Sequence, residues 1–197
     1  MMKDYSMYYS YKNIGDVLII IFDNEKTATK HERKGRVEVI YHDEEIIGYN
    51  IFDVKEIIKI KSEGKIYLPS PQLIEVINTI LINAKIEPLK QVEHSGYYTA
   101  EVVESNKDVV VLSLGEQSLH ALDEKHILKL GDKVVVLKAG SRLSNGQIAC
   151  TSIKNGTTID AYICTNKEVG IKENEDEILL LDNDEEIGKD FFSTGGK

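Results

Sequence analysis

Lys125, Lys129, Lys133, Lys138 and Arg142 form the densest basic stretch in the second half of the chain. Cations at such intervals can neutralise successive phosphates of a polyanion. Tyr97, Tyr98 and Tyr162 lie in neighbouring segments, where aromatic faces could stack on bases. This is binding chemistry, and it requires no covalent step.

Catalytic chemistry has no comparable pattern. His31, His42, His94, His120 and His126 are scattered without metal-ligand spacing. Cys150 and Cys164 have no histidine or cysteine cluster beside them, so they read as small buried apolar residues rather than ligands. Asp123-Glu124 and the run Glu173 to Glu177 hold carboxylates at short spacing, but the run reads as solvated loop charge, without the alternating oxygen ligands of a calcium loop. Gly195-Gly196 is followed by neither the helix nor the lysine of a phosphate loop. The expectation is a protein that is not an enzyme and uses no cofactor and no metal.

The elements that must carry the basic stretch are short strands. Tyr97 to Val103, Val109 to Leu114, Lys133 to Ala139, Ile148 to Ile153, Ala161 to Thr165 and Ile178 to Leu181 are β-branched or alternating runs. Gly115-Glu116, Gly131-Asp132, Gly140, Asn145-Gly146 and Asn155-Gly156 punctuate them as turns. Five or six strands at this spacing predict a small closed barrel.

The first half differs. Strands are expected at Tyr5 to Tyr11, Val17 to Phe22, Arg36 to Tyr41 and Ile46 to Phe52, the last two joined through His42 to Glu45. Asp23 to Lys34 reads as a polar connection, and Val54 to Ile60 fits a helix or a strand equally well. Ser70 and Pro71 mark a helix start, and Leu73, Ile74, Ile77, Ile80 and Leu81 give one apolar face through Asn83. The boundaries are 1–90 for an α+β domain and 91–197 for an all-β domain, with the break near 86–96.

The 197 residues carry a net charge of −9. Residues 1–90 contribute 13 basic and 14 acidic side chains; residues 91–197 contribute 11 and 19. The acidic excess opposes strong, non-specific nucleic-acid binding, so any such site must be a local basic face. No apolar run is long enough for a bilayer, and two cysteines imply no disulfide framework; the cytoplasm is the expected compartment.

Residues 97–192 resemble the tRNA-binding domain family of the oligonucleotide-binding (OB) barrel type, found in methionyl-tRNA synthetases and the phenylalanyl-tRNA synthetase beta chain. The resemblance rests on Gly131-Asp132-Lys133-Val134-Val135-Val136, Gly140, Leu143, Asn145-Gly146, Ile148, Gly156 and Ile163 to Ile171, then Ile178 to Leu181 and Gly188. With Ile14-Gly15-Asp16-Val17-Leu18 and Ile47 to Phe52, the whole chain resembles the YtpR-like two-domain bacterial proteins. The family's His-Pro-Asn-Ala-Asp-Lys-Leu segment is mostly missing between Val103 and Val109. Its Ser-x-Gly-Met-x-Cys-Ser signature appears as Ile159, Ala161, Tyr162, Cys164 and Thr165, keeping only the cysteine and one hydroxyl.

The resemblance implies an α+β N-terminal domain followed by an all-β OB-fold barrel. It implies structured tRNA as partner, without DNA preference or membrane association, and a homodimer. The nucleic-acid-binding candidates are Lys125, Lys129, Lys133, Lys138, Arg142, Tyr162 and Thr165. The competing expectation is a degenerate barrel that mediates protein association, with nucleic-acid binding lost.

Overall fold

The computed structural model describes residues 4–193, so Gly195-Gly196 lies outside them. The chain divides into two compact units, 1–93 and 94–197. No helix among the described residues is long and apolar enough to cross a membrane.

The first unit contains strands β1 (Ser6–Tyr9), β2 (Val17–Ile21), β3 (Lys30–Lys34), β4 (Val37–His42), β5 (Glu45–Phe52) and β6 (Gly64–Ile66). They form one antiparallel sheet in the order β3-β4-β5-β2-β1-β6. Alternation sends Met7, Tyr9, Leu18, Ile20, Val37, Val39, Tyr49 and Ile51 into one core. A one-turn helix, α1 (Tyr11–Ile14), links β1 to β2, so the first strand is shorter than expected. Val54–Glu56 resolves as a 3-10 turn.

Helix α2 (Pro71–Asn83) completes that core with Leu73, Ile74, Ile77 and Leu81. Ser70 Oγ accepts the Leu73 amide at 3.2 Å, the N-cap its position predicts. Strand β3 departs from the expected polar connection. Its Lys-His-Glu-Arg-Lys sequence has no apolar alternation, because it is a sheet edge whose charges discourage further pairing.

The second unit contains β7 (Tyr97–Asn106), β8 (Val109–Ser113), β9 (Ser118–Leu122), β10 (Lys133–Lys138), β11 (Ser152–Lys154), β12 (Thr157–Ile159), β13 (Ala161–Ile163) and β14 (Leu180–Leu181). Five of them form a sheet in the order β13-β10-β7-β8-β9, with β14 also on β10. Ala100, Val102, Val110, Leu112, Leu119, Ala121, Val134, Val136 and Ala161 form its core. Asn155 and Gly156 both have positive φ, and they turn β11 into β12 as an Asn-Gly pair should.

Two expectations for this unit need correction. Ile148 to Ile153 is not a strand: Ile148 makes an isolated bridge with Arg142, and β11 begins only at Ser152. The loop is instead closed by Ala149, whose carbonyl and amide bond Gly140 and Ser141. Nor does the sheet close as a continuous ladder. Among the described residues, the β9 edge meets Asp160, between β12 and β13. Asp160 N donates to His120 O at 3.1 Å, and its Oδ1 accepts His120 N at 2.7 Å. One residue thus supplies both partners that a full strand would spread over a ladder.

At the other end of the unit, the terminal segment replaces β8 beside β7. Strand β8 stops opposite Glu101, leaving Tyr97 to Thr99 without it. Gly188 N donates to Thr99 O, Thr99 N to Lys189 O and Phe191 N to Tyr97 O. Buried Asp190 accepts Ser95 N at 2.6 Å and Ser95 Oγ at 2.7 Å, which ties down the segment.

Candidate nucleic-acid interface

The basic stretch does not form one row. Lys133 opens β10 and Lys138 ends it, roughly 16 Å apart at the usual strand rise. They are five residues apart, an odd number, so the pleat sends them to opposite faces. Lys133 Nζ donates to Asn183 O and Glu185 O, at 2.6 Å each. It therefore fastens an exposed loop that carries Asp182, Asp184, Glu185 and Glu186.

Lys125 and Lys129 are exposed on the segment leading into β10. Asp123 shapes that segment: Oδ1 accepts Ile127 N at 3.1 Å and Oδ2 accepts Leu128 N at 2.8 Å. Asp132 Oδ2 accepts Lys129 N at 2.8 Å. Neither ammonium group has an ion-pair partner among the described residues. They lie at the Lys133 end of the sheet, since Gly131 N donates to Val102 O and Asp132 O accepts Val102 N.

Arg142 and Tyr162 serve the opposite end. Arg142 Nη1 donates to Gly146 O at 3.0 Å, bracing its own turn. Glu168 secures the same loop by accepting Tyr97 Oη and Ser144 N on Oε1, both at 2.5 Å, and Ser144 Oγ on Oε2 at 2.7 Å. Tyr162 is 38% exposed, and its hydroxyl donates to Cys150 O at 2.8 Å. Thr165 is half-buried and bridges to Ile178.

A cation–aromatic arrangement in this unit pairs Lys138 with Tyr98. The ammonium lies 5.8 Å from the ring centroid and donates to Gln117 Oε1 at 3.1 Å. Register explains the contact. Tyr98 is opposite Val136, so Lys138 is its diagonal neighbour on the same face. The Tyr98 phenol is held above its ordinary value by burial and by the Asp190 charge, so the ring is neutral at physiological pH. Gln117, from the β8–β9 turn, carried no signal in the sequence because only the fold brings it to Lys138.

Comparison with known proteins follows this division of the chain. The sequence model of a family described as "Domain of unknown function (DUF4479)" matches residues 23–89, inside the first unit. A Bacillus subtilis (strain 168) protein named "Putative tRNA-binding protein YtpR" is 27% identical over 93% of this chain and 98% of its own length. The chain is thus similar to that protein over nearly its whole length. That similarity spans both units, so it covers the Lys138 site as well as the DUF4479 segment.

Proposed function

We propose that the second unit is a non-catalytic RNA-binding module of the OB type, which takes structured tRNA. The similarity to a protein named for tRNA binding, over nearly the full length of both chains, carries this reading. The five-stranded antiparallel order and the Asp160 seam support an OB-type barrel, with one residue standing where its last ladder would close.

In this reading Lys138 meets a phosphate while the Tyr98 ring offers a stacking face. Lys125 and Lys129 add phosphate contacts at the far end. Recognition is by backbone and shape, because cations without a base-reading pattern cannot specify sequence. Arg142 and Lys133 act first as braces, since their head groups already bond backbone carbonyls. The two free cysteines suit the cytoplasm. Electrophoretic titration with bulk tRNA at low and moderate salt tests the reading. Binding at low salt that weakens as salt rises supports it, and no binding at low salt contradicts it.

A second reading, homodimerisation, has its own observation. Leu130 is 67% exposed, and the Gly131–Val102 bond places it beside exposed Val103, the residue left over at the β7 bulge. Such neighbouring apolar side chains suit a protein contact. Sedimentation equilibrium of the wild type and Leu130→Glu tests this: a dimer lost in the variant supports it, and a wild-type monomer rejects it.

A further inference from the structure

The first unit contains a cleft of about 310 Å³, the low end of the range for small-ligand sites. The β3–β4 turn supplies one wall with Lys34 and Arg36. Ile57, Ile80 and Asn83 line the remainder. We propose that this cleft binds a nucleotide, with its phosphate at Lys34 and Arg36 and its flat body against Ile57 and Ile80.

The chemistry follows from the two cations and the apolar shelf. Gly35 takes φ +63°, which lets a two-residue turn bring Lys34 and Arg36 to the same mouth. Arg36 is oriented before any ligand arrives: Nη1 donates to Asp53 O at 2.8 Å, and Nη2 to Glu56 Oε2 at 2.6 Å. A guanidinium offers phosphate a forked set of donors, and a lysine adds a compact charge. Ile57 is 45% exposed, a large apolar surface beside a charged mouth. Asn83 offers an amide that can hydrogen-bond a base or ribose.

Opposing charges set the strength of binding. Glu56 pairs with Arg36, and Glu32 lies 3.4 Å from Lys34. The C-terminal end of α2 adds partial negative charge. Both ion pairs are solvent-exposed and therefore weak, so a phosphate dianion can displace the carboxylates. The expected affinity is modest and needs both cations. A free nucleotide and one residue of an RNA chain present the same phosphate and flat body.

Methyl NMR of the isotope-labelled full chain tests the inference with AMP, adenosine and a single-stranded oligoadenylate as probes. AMP is expected to shift the Ile57 and Ile80 methyls saturably, and adenosine to leave them nearly unmoved. Lys34→Ala should weaken AMP binding about fivefold or more. Saturation by oligoadenylate at lower nucleotide concentration assigns the cleft to RNA; a response to AMP alone assigns it to free nucleotide. No saturable shift with either phosphate probe overturns the inference, as does unchanged affinity in Lys34→Ala. Lys138→Ala should leave the AMP response intact, so this result is independent of tRNA binding by the second unit.

Discussion

Lys133 and Glu185 are joined through the backbone: the lysine ammonium donates to the glutamate's carbonyl, not to its carboxylate. The same ammonium bonds Asn183 O. The loop's acidic side chains can therefore be neutralised without cutting its attachment to β10. Replacing Asp182 and Asp184 with Asn, and Glu185 and Glu186 with Gln, should tighten tRNA binding about threefold or more at low salt. The gain should vanish at high salt. Filter-binding titrations check it, and equal affinities at low salt would show that the loop does not oppose the ligand.

The packing of the terminal segment predicts unequal costs at two glycines. A Cβ on Gly188 would lie 2.3 Å from Leu114 O, while one on Gly115 would meet nothing within 4 Å. Both have positive φ, at +79° and +95°. Gly115→Ala should cost about 1 kcal/mol from backbone strain alone, and Gly188→Ala about 2 kcal/mol more, because a backbone atom must move. Urea denaturation of both variants measures the difference; equal costs would contradict the tight junction.

Alkaline pH should weaken the first unit. Burial raises the phenols of Tyr5 and Tyr49, the latter to about 12. Burial and the hydrogen bond to Asp16 raise Tyr9 to about 12. Unfolded tyrosine ionises near 10, so the folded state keeps protons that the unfolded chain releases. Stability from these groups is full below about 10 and falls as pH rises towards about 12. The chain lacks tryptophan, so tyrosinate absorbance reports the titration cleanly. Native-state ionisation of all ten tyrosines near 10 would exclude the effect.

The first-unit core predicts that Ile77→Ala costs roughly 2–5 kcal/mol, since Ile77 is buried on the inner face of α2. Ser70→Ala should cost about 1 kcal/mol through loss of the N-cap. Chemical denaturation gives both values. A change below about 0.5 kcal/mol at Ile77 would contradict its place in the core.

How much the sequence disclosed depended on the range of the interaction. Ser70, Pro71 and the apolar spacing through Leu81 delimited α2 because caps and periodicity are local. Asn155-Gly156 announced its hairpin for the same reason. Strand β3 was hidden because an edge strand with five polar residues has no buried face to alternate. Strand β9 was missed although Leu119 and Ala121 alternate inward, since its polar start blended with the preceding turn. In the candidate interface, charge density identified Lys138 but also grouped it with Lys133. The odd spacing already placed those two on opposite faces of a strand. The capture of Lys133 by Asn183 and Glu185, and the meeting of Lys138 with Gln117, depend on tertiary packing that charge density does not encode.

The salt dependence of tRNA binding in Lys138→Glu tests the account most directly. Fluorescence anisotropy of labelled tRNA should show that the wild type binds at low salt and weakens as salt rises. The substitution should lower affinity about tenfold or more and reduce the slope of log affinity against log salt by about one, as expected when one phosphate contact is lost. The same affinity and slope in Lys138→Glu and the wild type would contradict a phosphate contact at Lys138, and with it the proposed RNA-binding face.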